Sequence, residues 1–335
     1  MINPIYLDAE EIRDLADPAD YVEAVRQGFL ERGNGGDANT RERVHRRDPS
    51  GMLTSYMAIL PESDRMGGYM YSAGFSDRDA YFLTPLFDAE SGQLLALLDG
   101  SSMNPFKTGA AGAIAVDELA VSDVKRVAVI GSGPQARGQT HGLMQVRSPE
   151  LINVFSPTPE HRERFAEEMT GVLEADVRAV SSAGEAIDGA EVIITATTSH
   201  EPVFDGSALS GGEHITAMGQ YHRERREVDA RAVARSTYVP DIRDRVLEDA
   251  GAFLMAREEG VITDDHIHAE LGEVVAGEAE GRTAQDEITL FDSGGTGIET
   301  TAAAAMLYEK AREEGVGTPL SMYSASEMLT GRTGE

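Results

Sequence analysis

The sequence predicts an α/β protein: a Rossmann-type doubly wound parallel sheet inserted in a second α+β domain that has an antiparallel sheet. Three patterns support this fold class. The first third of the chain alternates strand-like runs with turn residues, the middle alternates apolar strands with helical segments, and an alanine-rich helix follows at 297–315. A chain of 335 residues is long enough for two domains, and we expect one from residues 1–118 with 298–335 and the other from residues 119–297.

The amino-terminal part begins with a predicted helix at 18–33, which has proline near its start and glycine at its end. The polar, arginine-rich segment 34–51 predicts a loop or an irregular strand. Between residues 52 and 98, four strand-like runs separated by turn residues predict an antiparallel meander. Residues 104–120 are small and alanine-rich, which is typical of a tightly packed helix.

In the middle of the chain, strands and helices alternate. Strands are predicted at 127–130, 151–155, 176–180 and 191–195, and helices between them at 134–146, 159–173 and 182–188. Further strands are predicted at 214–218, 236–240 and 287–292. This order is a βαβαβ pattern, and a parallel sheet with right-handed crossovers follows from it.

A glycine-rich turn follows the first of these strands and opens the next helix, with the sequence Gly131-Ser132-Gly133-Pro134-Gln135-Ala136. Its spacing matches the dinucleotide-binding turn, and its place between an apolar strand and a helix makes the match specific. Gly131 permits the tight turn, Gly133 lets backbone N–H groups approach a pyrophosphate, and Ala136 keeps the helix close to the strand. The turn therefore predicts a nicotinamide dinucleotide site.

The end of the second strand of this pattern distinguishes NAD(H) from NADP(H), because a carboxylate there bonds the ribose hydroxyl and repels a 2′-phosphate. The sequence has no carboxylate at this strand end. The hydroxyls of Ser156 and Thr158 and the cation of Arg162 are available instead. We therefore expect NADP(H) or NAD(H) as the cofactor, with a slight preference for NADP(H).

The chain is strongly acidic, because 58 acidic and 29 basic residues give a formal net charge of −29. Such a field repels nucleic acid and anionic membranes, so we expect neither as a partner. Only three lysines occur, at positions 107, 125 and 310. An acidic, lysine-poor chain of ordinary hydrophobic content indicates a halophilic protein, whose self-repulsion is screened by molar salt. An ordinary acidic enzyme is the alternative.

The chain contains no cysteine, which excludes disulfides, thiolate metal ligands and a cysteine nucleophile. Its apolar runs are of strand length, and its first residues show no secretory signal pattern, so we expect a cytoplasmic protein without a membrane span. A metal cluster is conceivable at His266 and His268 with Glu270 and Glu273 nearby. These four residues are better interpreted as surface residues than as metal ligands, and no metal is expected.

Several segments, in this order, resemble the family of ornithine cyclodeaminase, archaeal alanine dehydrogenase and mu-crystallin. The segments are 87–93 (FDAESGQ), 96–100 (ALLDG), 106–111 (FKTGAA), 131–136 (GSGPQA), 195–199 (TATTS), 214–219 (HITAMG), 227–229 (EVD), 270–274 (ELGEV), 281–282 (GR) and 287–293 (EITLFDS). The series extends over nearly the whole chain and is specific for the family, but it is not specific for a substrate.

The resemblance implies a homodimer whose first domain combines the amino-terminal part with the returning carboxyl-terminal helix. It also implies hydride transfer between a nicotinamide and the α-carbon of a small amino acid, imino acid or 2-oxo acid, in a cleft between the domains. By the same resemblance, cofactor contacts extend beyond the glycine-rich turn to Thr108, Thr195, Thr197, Gly219 and Ser293.

Several positions that carry substrate chemistry in the family are changed in this chain. The family arginine that grips the substrate carboxylate is matched best by Arg43, with Arg41 as an alternative. Tyr69 or Met70 replaces the family's acid–base lysine, and Lys107 replaces a family arginine. Because lysine lacks the bidentate fork of arginine, the last change weakens a carboxylate clamp.

The cyclodeaminases also have an aspartate just beyond the glycine that matches Gly219, and this chain has Tyr221 at the closest match, followed by His222. A plain reductase needs only a carboxylate clamp, a proton donor to nitrogen and a placed nicotinamide. The candidates are Arg43 and Lys107 for the clamp, and Tyr69, Tyr221 or His222 for the donor. Each candidate also has an ordinary alternative without a catalytic role. Arg43 can be a solvated charge, Tyr69 a core residue and His222 part of an exposed turn.

The glycine-rich turn and the family resemblance together imply an NAD(P)-dependent amino or imino acid oxidoreductase, either an imine reductase or an alanine-dehydrogenase-like enzyme. Two alternatives are open. An ornithine cyclodeaminase would convert ornithine to proline and ammonia, and the missing aspartate argues against it. A non-catalytic NAD(P)H-binding protein is the other alternative, and the missing lysine favours it.

Overall fold

The computed structural model describes residues 3–48, 50–75 and 80–323. Its strands, in chain order, are β1 (Ile5–Leu7), β2 (Asp37–Ala38), β3 (Glu42–Arg47), β4 (Ser50–Leu60), β5 (Arg65–Ala73), β6 (Tyr81–Asp88), β7 (Leu94–Asp99), β8 (Arg126–Ile130), β9 (Leu151–Phe155), β10 (Asp176–Ala179), β11 (Val192–Thr195), β12 (His214–Ala217), β13 (Ser236–Pro240), β14 (Ile288–Asp292) and β15 (Thr318–Pro319). Its α-helices are α1 (Ala9–Leu15), α2 (Pro18–Gly33), α3 (Gly100–Leu119), α4 (Pro134–Val146), α5 (Pro159–Thr170), α6 (Ala183–Ile187), α7 (Ala230–Arg235), α8 (Arg243–Asp249), α9 (Gly251–Glu258), α10 (Leu271–Val275) and α11 (Gly297–Glu314). In this part of the chain, no helix is both long and apolar enough to cross a lipid bilayer.

The first sheet has eight strands in the order β15-β1-β7-β6-β5-β4-β2, with β3 also paired to β4. All its pairings are antiparallel except that of β1 with β7. The predicted meander is confirmed as β4 to β7. The segment 34–51, predicted as a loop or an irregular strand, instead contributes two strands, β2 and β3, because the long strand β4 pairs with both.

The second sheet has seven parallel strands in the order β10-β9-β8-β11-β12-β14-β13. The chain runs outward from β8 to β9 and β10, and then returns to β11 on the other side of β8. This reversal makes the crevice between β8 and β11 the switch point of a doubly wound sheet. Strands β11, β12 and β14 are buried along their whole length, as parallel strands covered on both faces must be. The predicted Rossmann-type sheet is confirmed.

Helix α3 connects the two sheets and packs very closely on α4. A Cβ atom at Gly109 would lie 2.0 Å from the carbonyl oxygen of Gly138, so this approach requires glycine. The helix begins earlier than the predicted 104–120, because the side chain of Asp99 caps its first turn and Pro105 is accommodated inside it. The small residues of α3 thus hold the meander against the helix that follows the glycine-rich turn.

Helix α11, predicted at 297–315, returns to the first sheet and packs against β4, β5 and α2. One core therefore joins the meander to α2, α3 and α11, and two further clusters of buried residues belong mainly to the parallel sheet and its helices. The sequence patterns missed α1 and α7 to α10, which are short helices of five to eight residues. The domain boundaries near residues 118 and 297 stay a prediction.

Candidate active site

The glycine-rich turn after β8 is open to a ligand. Gly131 has a φ of 119°, and a Cβ atom there would lie 2.2 Å from the carbonyl oxygen of Ala196, so this position requires glycine. A Cβ atom at Gly133 would meet no atom within 4 Å. No side chain caps the first turn of α4, so its amide N–H groups after Pro134 remain available to an anion.

One buried carboxylate holds together the loops that follow β11 and β12. Glu227 accepts the backbone N–H of Thr197 through Oε1 and that of Gly219 through Oε2, both at 2.6 Å. Burial raises the pKa of Glu227, while these hydrogen bonds oppose the rise. The sequence patterns contained Glu227 only within a family segment, and its positioning role becomes visible once the two loops are adjacent.

Between the two sheets lies a cavity of about 550 Å³, at the carboxyl edge of the parallel strands, where open α/β sheets bind ligands. The wall from the parallel sheet consists of Gly133, Pro134, Gln135, Ala196, Thr197, Thr198, Met218, Gly219, Tyr221, Ser293, Gly294 and Gly295. The wall from the first sheet and α3 consists of Arg41, Tyr56, Tyr71, Ala80, Phe82, Ser101, Asn104, Pro105, Lys107 and Thr108.

Three buried side-chain atoms on these walls lack a hydrogen-bond partner within the described residues. They are Nε of Arg41, Oε1 of Gln135 and Oγ of Ser293. Buried polar groups are normally paired, so a ligand that bonds them removes an energetic cost. The open turn at Gly133 and these unpartnered atoms fit a nicotinamide dinucleotide, whose pyrophosphate needs exposed amides and whose carboxamide needs polar partners.

Arg41 is the arginine at the cavity wall. Its guanidinium lies between two aromatic rings, 5.1 Å from the centroid of Tyr56 and 4.4 Å from that of Tyr221. Nη1 donates to Asp249 at 3.0 Å, and Nη2 donates to the two backbone carbonyls that follow Ser293. Nε–H is the guanidinium donor without a hydrogen-bond partner in the described residues, although the hydroxyl of Tyr71 also interacts with this guanidinium. A carboxylate at Nε would accept a charge-assisted hydrogen bond.

Arg43, the predicted clamp, does not line the cavity. Its Nη2 donates to Asp249 at 2.5 Å and to the carbonyl oxygen of Tyr221 at 3.4 Å. Arg41 and Arg43 thus share one counter-ion, and the arginine that the sequence offered as the alternative is the one at the cavity wall.

Lys107 is buried at the cavity wall beside aromatic rings. Its Nζ lies 3.3 Å from Oε1 of Glu299, and 5.6 Å and 5.0 Å from the ring centroids of Tyr56 and Tyr69. Burial lowers the pKa of Lys107, and the carboxylate of Glu299 opposes this shift. A lysine in such surroundings releases a proton more readily than an exposed one.

Two of the predicted proton donors lie away from the cavity wall, and one lies on it. Tyr69 is 1% exposed and donates its hydroxyl to the carbonyl oxygen of Gly100. His222 is exposed, and its Nδ1 accepts the backbone N–H of Glu224, which stabilises a turn. Tyr221 lines the cavity, with its ring over Arg41.

The remaining wall is aromatic and uncharged. Tyr71 stacks on Phe82 with the ring centroids 4.4 Å apart, and the sequence patterns had singled out neither residue. Among the described residues that line the cavity, there is no aspartate or glutamate. The cavity therefore offers cations to a carboxylate and an apolar surface to a ring or short side chain, but no anion to a second amino group.

The predicted cofactor residues divide into those on the cavity wall and those near it. Thr108, Gly133, Pro134, Gln135, Thr197, Gly219 and Ser293 line the cavity. Gly131, Ser132, Ala136 and Thr195 do not line it, and they belong to the turn itself and to the end of β11.

Ser156, Thr158 and Arg162 lie just beyond the end of β9. Nη1 of Arg162 donates to the carbonyl oxygen of Ser156 at 2.8 Å, and its guanidinium lies 5.8 Å from the ring centroid of Phe155. Ser156 is buried and Thr158 is exposed. The arginine thus places a positive charge at the strand end where the ribose of a dinucleotide is expected.

The two histidines considered as metal ligands bond to the backbone. Nε2 of His266 bonds to the carbonyl oxygen of Val233, and Nε2 of His268 to that of Glu280. In the ranges that the structure describes, no group of three or more histidine, aspartate and glutamate side chains is arranged to hold a metal ion.

Comparison with known sequences gives matches along most of the chain. Residues 5–315 match the model of the ornithine cyclodeaminase/mu-crystallin family. A Δ1-pyrroline-2-carboxylate reductase from Bacillus cereus is 31% identical over 262 residues, which cover 78% of this chain and 78% of the reductase.

Comparison with solved structures gives matches of similar extent. Δ1-Pyrroline-2-carboxylate reductase from Thermococcus litoralis, in complex with NADH and L-proline, is 34% identical with a TM-score of 0.90, covering 94% of this chain and 100% of that one. An archaeal alanine dehydrogenase dimer with bound NAD is 27% identical with a TM-score of 0.87, covering 96% of this chain and 100% of that one.

Proposed function

The chain belongs to the ornithine cyclodeaminase/mu-crystallin family, and from this premise we propose that it is an NAD(P)-dependent reductase of imino acids. In the proposed reaction, the C=N bond of a small imino acid receives a hydride at its α-carbon and a proton at its nitrogen, which yields an amino acid. The observation that carries the proposal is the cavity, in which Arg41 and Lys107 lie opposite the open turn at Gly133. Similar proteins include reductases of a cyclic imino acid.

Arg41 is the proposed clamp for the substrate carboxylate. Its Nε–H group has no partner within the described residues, and the rings of Tyr56 and Tyr221 lie close to the guanidinium. Aromatic rings exclude water, and a charge-assisted hydrogen bond is stronger in such surroundings. The clamp would hold the substrate in the cavity so that its α-carbon faces the nicotinamide ring, as hydride transfer requires.

Lys107 is the proposed proton donor. It lines the same wall as Arg41, and burial lowers its pKa toward the range useful for proton transfer. A bound nicotinamide supplies the hydride. As the π electrons of the C=N bond move onto nitrogen, an N–H bond of the Lys107 ammonium breaks and its proton goes to that nitrogen. The neutral lysine then regains a proton from solvent.

The direct test is turnover by the purified protein in molar KCl. Oxidation of NADH and NADPH is followed with Δ1-pyrroline-2-carboxylate, with its six-membered homologue, and with pyruvate plus ammonia. We expect turnover with at least one cyclic imino acid, and a decrease in kcat/KM of about a hundredfold or more for Lys107→Met. Lys310→Met is the matched control, because Lys310 pairs with Asp20 and does not line the cavity. Lack of turnover with every compound would overturn the proposal.

NADP(H) is the proposed preference over NAD(H). Arg162 at the end of β9 supports it, because a guanidinium can pair with a 2′-phosphate. We expect Arg162→Ala to raise the KM for NADPH about tenfold and to change that for NADH by less than about twofold. Arg164→Ala in the same helix is the control, since Arg164 is 63% exposed and pairs with Glu168. Equal changes for the two cofactors would contradict the preference.

The cavity wall argues against an ornithine cyclodeaminase. That reaction needs a carboxylate to hold and deprotonate the distal amine, and the described lining residues include none. Tyr221, the closest sequence match to the family's aspartate, instead places its ring over Arg41. Ammonia release from ornithine in the presence of NAD, without net change in the cofactor, would favour the cyclodeaminase.

A non-catalytic dinucleotide-binding protein is separated from the reductase by turnover. If the chain is a binding protein without catalysis, calorimetry would record tight binding of NADH or NADPH, and no imino acid or 2-oxo acid would be reduced. The position of Lys107 at the wall favours the reductase, because a pure binder needs no buried cation beside the substrate space.

A homodimer formed through the outer face of the first sheet is proposed as the assembly. Seven large hydrophobic side chains are exposed on β3 to β6, and by strand register they share the face opposite to Tyr56 and Tyr71: Val44, Leu53, Met57, Ile59, Met70, Tyr81 and Leu83. A patch of this kind on a strongly charged protein indicates a protein contact, and a second copy brings an identical apolar face to it. The similar archaeal alanine dehydrogenase is a dimer.

Adaptation to molar salt is proposed as well. It is supported by the net charge of −29 and by the presence of only three lysines in 335 residues. Dissolved salt at that concentration shortens the Debye length to about 3 Å and removes most of the repulsion between surface carboxylates.

A further inference from the structure

A cluster of buried ions lies beside the cavity and has Arg245 of α8 at its centre. Its Nε lies 2.6 Å from Oδ1 of Asp241, its Nη2 lies 2.5 Å from Oδ1 of Asp292, and its Nη1 lies 3.4 Å from Oδ1 of Asp249. All four side chains are almost completely buried. Asp241 and Asp292 alone supply two negative charges at short distance, so the charge of Arg245 is compensated without Asp249.

The short contacts of Asp249 are made with the first sheet instead. Its Oδ2 accepts Nη1 of Arg41 at 3.0 Å and Nη2 of Arg43 at 2.5 Å. Asp249 ends α8, next to the parallel sheet, whereas the two arginines precede and begin β3 of the meander. A single carboxylate therefore joins the two walls of the cavity.

The other hydrogen bonds of Arg41 also lead to the parallel sheet. Nη2 donates to the carbonyl oxygens of Gly294 and Gly295, and the N–H groups of the same two glycines donate to Oδ2 of Asp241 at 2.7 Å and 3.1 Å. The orientation of the Arg41 guanidinium is thus set from across the cavity, and its free Nε–H is the result of that orientation.

We propose that Asp249 is the positioning residue of the substrate clamp: it holds Arg41 across the cavity so that the Nε–H group faces the substrate carboxylate. The inference rests on the proposed function. A buried guanidinium without its counter-ion carries a large desolvation cost, so removal of Asp249 would turn Arg41 away from this position. Binding of the substrate carboxylate then depends on contact between the two walls of the cavity.

The test compares two isosteric variants of the same cluster. Asp249→Asn removes the charge that contacts Arg41, and Asp292→Asn removes a charge that contacts Arg245 but not Arg41. Both variants are expected to lower the melting temperature. Only Asp249→Asn is expected to raise the substrate KM, about tenfold or more, while the KM for the nicotinamide cofactor changes by less than about twofold.

A binding measurement supplies a readout that does not need turnover. Calorimetry measures the binding of pyrrole-2-carboxylate, a planar ring carboxylate. The proteins compared are the wild type, the two Asn variants, Arg41→Ala, and the double variant that combines Arg41→Ala with Asp249→Asn. We expect Asp249→Asn to weaken binding in the wild-type background and to have no further effect after Arg41→Ala, because it acts through Arg41.

Two results would overturn the inference: equal increases in substrate KM for Asp249→Asn and Asp292→Asn, or an additive effect of Asp249→Asn after Arg41→Ala. Failure of the proposed function has a different signature. In that case the wild type itself neither reduces imino acids nor binds the ring carboxylate, and the positioning role falls with it.

Discussion

Lys107 is the only one of the three lysines that is buried, since the side chains of Lys125 and Lys310 are 47% and 33% exposed. Burial lowers its pKa, and the nearby carboxylate of Glu299 limits that shift. The titratable and charged groups around its ammonium are Glu299 on α11, Arg41 before β3, Tyr56 on β4, and Tyr69 and Tyr71 on β5. The proton chemistry of this lysine is therefore a property of several elements together.

Glu299→Gln is expected to move the alkaline limb of the pH profile to lower pH. The glutamine oxygen can still accept the N–H of Thr296 at the start of α11, so the helix cap is retained while the negative charge is lost. Without that charge the pKa of Lys107 falls further. A donor must be protonated, so imine reduction declines as pH rises through that pKa, and the decline begins earlier in the variant.

The measurement is kcat/KM for the imino acid against pH, with wild type and Glu299→Gln at the same salt concentration. Glu309→Gln is the control, because Glu309 lies in the same helix, is 53% exposed and pairs with Arg65. An unchanged alkaline limb in Glu299→Gln would show that Lys107 does not donate the proton.

The choice between Arg41 and Arg43 was open at the level of sequence because the two residues are neighbours in one arginine-rich segment. The residues near them in sequence therefore predict the same environment for both arginines. They differ because Asp249, more than 200 positions away, contacts both, while the rings of Tyr56 and Tyr221 flank only Arg41. No signal in the sequence identified Asp249.

At the scale of elements, the strand–turn–helix unit from β8 to α4 was predicted almost residue for residue. The reason is local: an apolar strand, two glycines with separate tasks, and a proline in the first turn of the helix all lie within a few residues. The two glycines can be distinguished by experiment, because a methyl group added at Gly131 would clash with the backbone of Ala196, whereas one added at Gly133 would meet no protein atom.

Gly133→Ala is expected to weaken NADH and NADPH binding about tenfold or more and to leave the melting temperature unchanged. The added methyl group meets no protein atom, but it enters the space through which a pyrophosphate approaches the amides. Gly131→Ala is the comparison, because its left-handed φ and its contact with Ala196 cost on the order of 1–3 kcal/mol of stability. Calorimetry and thermal melts record both quantities. A Gly133→Ala protein that binds both cofactors as tightly as the wild type would refute a phosphate site at this turn.

At the scale of the whole molecule, the outer face of the first sheet is the largest group of exposed hydrophobic side chains in the described residues. Met57→Arg is expected to convert a dimer into a monomer, because it places a charge at the centre of an apolar contact. Val261→Arg is the matched control: Val261 is 51% exposed, close to the 53% of Met57, but lies outside this face. Sedimentation equilibrium in molar KCl measures the mass, and a Met57→Arg dimer or a wild-type monomer would contradict the interface.

The net charge of −29 leads to a prediction for the stability of the whole molecule. We expect the melting temperature to rise by about 10 °C or more between low and molar KCl, because the Debye length falls from about 10 Å to about 3 Å and carboxylate repulsion decreases. A non-ionic osmolyte at equal osmolality is the control for effects on apolar burial. The same melting temperature at both salt concentrations would identify an ordinary acidic enzyme.

The two kinds of sheet, the glycine-rich turn and the family could be predicted before folding was considered, because strand alternation, helix caps and glycine turns depend on residues close together in the chain. Which side chains meet at the cavity became visible in the folded chain alone. The pairs Lys107–Glu299 and Arg41–Asp249 are separated by 192 and 208 positions, and no local pattern encodes such contacts. Those contacts depend on how α3, α8, α11 and the two sheets pack, because packing buries apolar surface and leaves few buried charges without a partner.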